Sequence, residues 1–148
     1  MRFVFTKGAG KHENLLIERD DLPPRSIACP KQGIIPHDMV HYSVEGVITH
    51  RGFWTMVADG QEAGFTMDGA GDSEESVERL VETFQAEMWG GRVPVADFLA
   101  TYAHACDARG HAAMPVSSDD VAAIRERLDM LTVEWAGVPV GGALKLDL

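Results

Sequence analysis

No apolar run in this chain approaches the roughly 20 residues that a bilayer-spanning helix needs. The opening Met1-Arg2-Phe3-Val4-Phe5-Thr6-Lys7-Gly8 alternates instead of building the apolar block of a secretory signal. Cysteine is scarce: Cys29 and Cys106 lie far apart with no CxxC or CxH spacing. That excludes a disulfide scaffold and a zinc ribbon, and it reads as two free thiols in a reducing compartment. A cytoplasmic location is therefore expected. Basic charge is also short, with 13 Lys and Arg against 23 Asp and Glu, for a net charge of -10. The cations are scattered, so no basic patch would hold nucleic acid or an anionic membrane. Phosphate-cradling loops are missing as well. Gly8-Ala9-Gly10 lacks the third glycine and the following helix of a dinucleotide fingerprint, and no Walker-type lysine loop or nucleophile elbow occurs.

What the chain does have is the composition of a globular protein: 148 residues, 45% hydrophobic and 24% charged. This suits one domain over residues 1–148 with a core that needs neither disulfides nor metal. The first third reads as strands. Residues 2–6 alternate, Gly8 to Lys11 turn, residues 14–19 form a second run, and residues 25–29 a third before Pro30. Short turns between them predict an antiparallel meander. Helical patterning begins at Pro36, a residue suited to a first helical position. A helix from there should end near residues 46–49, followed by a short one over 53–58 and a glycine-rich loop over 64–72.

Asp72 or Ser73 should cap a longer helix whose buried stripe is Val77, Leu80, Val81, Phe84 and Met88. Pro94 opens another, with Val95, Phe98, Leu99, Tyr102 and Cys106 on one face. Ser117 or Ser118 caps the last, with Val121, Ile124, Leu128, Leu131 and Trp135 inward. The chain ends in the alternating Ala143-Leu144-Lys145-Leu146-Asp147-Leu148, which predicts a strand with Leu144, Leu146 and Leu148 inward, returning to the N-terminal sheet. The expected fold is α+β: a small antiparallel sheet of the N-terminal strands plus the C-terminal strand, with four or five helices packed on it. An apolar outer sheet face would favour a homodimer. Trp89 and Trp135 are expected as lids on the core.

Chemistry gathers in one place, Pro36-His37-Asp38-Met39-Val40-His41-Tyr42-Ser43-Val44-Glu45. Residues four apart stand one above the other on a helix, so His37, His41 and Glu45 share a row. Val40, Val44, Val47 and Ile48 define the apolar arc; His37 falls inside it, His41 at its edge, and Glu45 and Asp38 just beyond. Neutral imidazoles with carboxylates suit zinc or another divalent transition metal. The same residues also suit an ordinary i, i+4 pair and a backbone-bonded histidine. His50, Asp59 and Glu62 are the nearest groups in sequence to complete a site. His104 projects away from the apolar face, and His12 and His111 sit in turns.

The His37 to Glu45 segment, the step Gly52-Phe53-Trp54 and the ending Trp135…Pro139…Gly142-Ala143-Leu144-Lys145-Leu146 resemble a group of short bacterial proteins of unknown function. Those proteins typically carry His-Asp-Leu-Val-His-Tyr/Phe-x-Val-Glu. His37, Asp38 and His41 also match the first part of the zinc-associated HDxxH-x11-E motif of a ubiquinone-biosynthesis family, in which Phe53 would occupy the glutamate position. HExxH metalloproteases are similar with Asp38 in place of the longer glutamate. The ubiquinone-family resemblance implies a metal set of which only His37, Asp38 and His41 are present; the helix row adds Glu45, so the candidate metal ligands are His37, His41, Glu45 and Asp38. Two functions therefore stand open: a non-catalytic interaction or regulatory domain with structural histidines, and a metal-binding protein or metal-dependent enzyme acting on a small molecule.

Overall fold

A computed structural model describes residues 1–31, 33–48, 52–60 and 71–148. Strands β1 (Arg2–Thr6), β2 (His12–Arg19) and β3 (Leu22–Pro30) are followed by helices α1 (His37–Glu45), α2 (Phe53–Ala58), α3 (Asp72–Gly90), α4 (Val95–Ala108) and α5 (Ser118–Ala136), and strand β4 (Ala143–Asp147) closes the order. The sheet runs β3-β2-β1-β4, every pair antiparallel. The fold is α+β, as alternation at both ends of the chain predicts. His50, Glu62 and most of the glycine-rich loop fall outside the described residues.

Period-2 patterning sets the sheet's inner face. Phe3 and Phe5 on β1, Leu15 and Ile17 on β2, and Cys29 on β3 are buried. The register places Phe3 opposite Ile17 and Leu146, and Phe5 opposite Leu15 and Leu144. The last strand thus pairs with the first, and the terminal residues stay bonded to each other through Leu148 N–H to the Met1 carbonyl. Leu148 itself lies beyond the strand and is exposed, against expectation: its partner across the pair, Met1, is itself only partly buried. β3 is longer than its sequence suggests and includes Pro23 and Pro24. Its position at the edge explains this, since an edge strand can lack N–H donors on its open side.

The helices turn their stripes into the same core. Val77, Leu80, Val81 and Phe84 of α3, Phe98, Tyr102 and Cys106 of α4, and Val121, Ile124, Leu128, Leu131 and Trp135 of α5 are all buried. The Ser117 hydroxyl accepts the Asp120 N–H while Asp120 accepts the Ser117 N–H, a reciprocal cap that fixes the start of α5. α3 begins one residue earlier than expected, with Gly71 as its cap position. Trp89 is 63% exposed, so it is no core lid: it follows the last inward position of α3 and points out beside Gly33. Trp135 is buried, with the Lys7 ammonium over its ring.

Phe84 and Phe98, both fully buried, meet with ring centroids 4.3 Å apart and join α3 to α4. Phe84→Ala is expected to cost about 3–5 kcal/mol through lost burial and a residual cavity. Urea unfolding measures this, and a loss below about 1 kcal/mol would mean the interface collapses freely around the gap.

Candidate metal centre

Helix α1 crosses the sheet with Met39, Val40 and Val44 in the core, and Pro36 precedes its first residue. Tyr42 donates its hydroxyl to the Asp147 carbonyl and packs edge-on against Phe3, which fixes the helix's rotation over β1 and β4. With that rotation His41 points between helices and is only 3% exposed, while His37, one turn earlier, is 31% exposed. The order is the reverse of the wheel expectation. α3 packs on the His41 side of α1 and covers what a lone wheel leaves at the margin.

Glu78 of α3 meets both rings. One of its oxygens lies 3.2 Å from His41 Nε2 and the other 3.7 Å from His37 Nε2. Each ring's other nitrogen is held from behind. His41 Nδ1 is 3.1 Å from Glu45, and His37 Nδ1 donates to the Gln85 amide oxygen over 2.7 Å. Glu78 and Gln85 are seven residues apart, hence on one face of α3, level with the two histidines. The second Glu45 oxygen accepts the Trp54 N–H over 2.8 Å. Gly52 makes room for that carboxylate, since a Cβ there would collide with it and approach Val77 at 2.9 Å.

One atom each from His37, His41 and Glu78 lies within 4.8 Å of the others, the only such His/Cys/Asp/Glu grouping among the described residues. Ligands bound tetrahedrally at 2.0–2.1 Å stand about 3.3 Å from one another. The contacts of 3.2 and 3.7 Å are made by different Glu78 oxygens, and the set with one atom from each residue is bounded at 4.8 Å, so an ion would have to draw the three groups closer together.

The other two sequence candidates sit elsewhere. Glu45 lies behind His41 on the nitrogen away from Glu78, in the position of a group that orients a ligand. Asp38 turns toward β3 and accepts the Cys29 thiol hydrogen, Sγ to Oδ2 3.0 Å. Asp59 is exposed at the end of α2, and His12 and His104 are exposed. Glu78 was not singled out by sequence because α3 is rich in acids from Asp72 onward. Its one distinguishing sign is the seven-residue spacing to Gln85 beside Val81.

Charge within the cluster is strongly coupled. Burial alone would lower the His41 pKa, but hydrogen bonds to Glu45 and Glu78 and their negative charge raise it to about 10. Burial pushes Glu78 the other way from its partners, which hold it well below the usual carboxylate range. Without an ion, His41 is an imidazolium donating to two carboxylates. Burial, with Asp38 beside it, raises the Cys29 thiol far above its ordinary value, so it stays protonated.

Comparison of the chain with protein-family models, with curated proteins and with solved structures finds no match.

The sign of the pH dependence follows from these shifts. In metal-free protein the His41 contribution is full below its unfolded pKa of 6.5 and is lost as pH rises through about 10. The Glu78 contribution is present above 4.5 and lost as pH falls toward its depressed value. Wild-type urea resistance should therefore decline from pH 6.5 to 10 more steeply than that of His41→Gln. Parallel profiles for the two proteins would contradict the buried imidazolium.

Proposed function

We propose that this chain is a metal-binding protein in which His37, His41 and Glu78 hold one divalent transition-metal ion. The observation that carries the reading is the orientation of the two rings: each Nδ1 is engaged by an outer group, Gln85 or Glu45, and each Nε2 is turned to the same carboxylate. Outer partners of this kind fix the tautomer that leaves Nε2 free to coordinate. Two imidazoles and a carboxylate are a borderline donor set. They suit zinc or ferrous iron and disfavour calcium and magnesium, which take oxygen ligands.

Three protein ligands leave coordination positions for water or a small molecule, as in catalytic zinc sites, while structural zinc sites are usually closed by four. The partial exposure of His37 puts that open side toward solvent. A metal-dependent reaction on a ligand reaching the ion from that side is the activity this arrangement supports best.

A second reading is supported by the satisfied state of His41, whose two nitrogens both face carboxylates without any ion. On that reading the cluster is structural and the chain is an interaction or regulatory domain. Metal content separates the two. Protein purified without a polyhistidine tag is expected to bind one zinc per chain in calorimetry. Binding should release about one proton at pH 7, because the ion replaces the proton between His41 and Glu78. Glu78→Gln should weaken it by about 100-fold, the upper end of the loss caused by removing a group that only orients a ligand. Zinc binding unchanged by Glu78→Gln, or absent in wild type, would favour the structural reading.

A further inference from the structure

The sheet ends in two edge strands, β3 and β4, and their sequences treat the edge differently. β3 carries Pro23, Pro24 and Pro30, which offer no N–H to a further strand. β4 has no proline. Its outward side chains are open to solvent: Ala143 and Lys145 are exposed, and the Asp147 side chain is 72% exposed. Its inward leucines, Leu144 and Leu146, are only partly buried, whereas Phe5 and Phe3 opposite them are wholly buried. A segment of chain lying along β4 would cover these side chains, so their exposure marks an open edge.

The hydrogen bonds show which backbone groups face that edge. Leu148 N–H bonds the Met1 carbonyl at one end of the β1–β4 pair, and Lys7 N–H bonds the Gly142 carbonyl at the other. Bonded pairs alternate in an antiparallel ladder, so Leu144 and Leu146 turn their N–H and C=O toward β1. Lys145 and Asp147 turn theirs away from the sheet. The Asp147 carbonyl accepts the Tyr42 hydroxyl and keeps a second lone pair.

Charge on the outer face adds a direction. Glu18 of β2 stands opposite Arg2 of β1, and Arg2 stands opposite Asp147 of β4. Arg2 Nε donates to Asp147 Oδ1 over 3.1 Å. The row alternates in sign and stops at the edge on a carboxylate. Lys145 projects from the same face two residues earlier and enters no ion pair among the described residues.

We infer that β4 pairs with β4 of a second copy of this chain, antiparallel, about a two-fold axis through Leu146. That register sets each Lys145 opposite the other copy's Asp147, which continues the row of alternating charge and joins the outward N–H and C=O groups of both residues. On the inner face it sets Leu146 against its own copy and Leu144 against Leu148, whose exposure of 41% the pairing would reduce. An axis through Lys145 would oppose two ammonium groups, and one through Asp147 two carboxylates. The strand is thus complementary to itself in one register, which favours a second copy over an unrelated segment. The pairing is isologous and consumes the β4 edge, and the prolines of β3 discourage further growth, so assembly stops at the dimer. The inference is independent of the metal centre.

Sedimentation equilibrium of the full chain tests it. The wild type is expected to be a dimer at about 100 µM, and Lys145→Glu and Asp147→Lys should each weaken self-association about 10- to 100-fold by placing like charges opposite. An equimolar mixture of the two variants should recover a heterodimer, because both cross-strand pairs are then of opposite sign. Amide exchange at Lys145 and Asp147 should slow as wild-type concentration rises, a readout that needs no variant to fold. A wild type still monomeric at about 1 mM would overturn the inference. So would a dimer that Asp147→Lys leaves intact, which would place the axis elsewhere. Folded variants that stay monomeric when mixed, or exchange at Lys145 and Asp147 that is independent of concentration, would overturn it as well.

Discussion

A single imidazole almost wholly shut off from bulk water organises the centre of this protein. His41 is buried against Phe53 and lies within reach of Trp54, and it is held between Glu45 on one nitrogen and Glu78 on the other. Neither carboxylate is tolerable in that setting without a positive partner, and an uncompensated buried charge of this kind costs about 3–5 kcal/mol. The constraint reaches outward through both. Glu45 also fixes the start of α2 through the Trp54 N–H, and its room depends on Gly52 having no side chain. Glu78 fixes how α3 sits along α1, which in turn brings Gln85 to His37. Three helices meet at one charge.

The same constraint explains why the cluster suits an ion. A proton between His41 and Glu78 and a divalent ion among His37, His41 and Glu78 answer the same need, positive charge between buried acceptors. The two states compete, so metal affinity should rise with pH. On the proposed reading Glu45 and Gln85, which hold the Nδ1 atoms in the metal-free protein, would keep both rings turned toward Glu78 when an ion binds. Asp38, which in the HExxH comparison would stand as a base, is instead bonded to the Cys29 thiol.

Much of the fold was legible because its signals are local. Alternation in residues 2–6 and 143–147 marks both strands and their inward faces, and the stripes of α3, α4 and α5 follow from helical spacing alone. Pro36, Ser117 and the Gly90-Gly91 pair place helix ends by their own backbone chemistry. The site was half legible for the same reason. His37 and His41 stand together by helix geometry, but Glu78 arrives through packing of α3 on α1, 37 residues beyond His41. Among the acids around it only its seven-residue spacing to Gln85 sets it apart, and that spacing does not reveal which helix α3 packs on. Glu45 shares the histidines' row, yet Trp54 and the far side of His41 claim it, a pairing decided by α2. Leu148 shows the limit of periodicity, since it keeps the inward rhythm of β4 yet is exposed at the strand's end, whereas Trp89 is large and apolar but stands beside the α3 stripe and not on it.

Crystals of the tag-free protein grown with one equivalent of zinc, with diffraction recorded on either side of the zinc absorption edge, test the central claim most directly. The account predicts one anomalous peak per chain, about 2.0–2.2 Å from the Nε2 atoms of His37 and His41 and from a Glu78 oxygen. Glu45 and Gln85 should remain on the Nδ1 atoms. Crystals with no peak at this point, and with His41 still bridging Glu45 and Glu78, would contradict it.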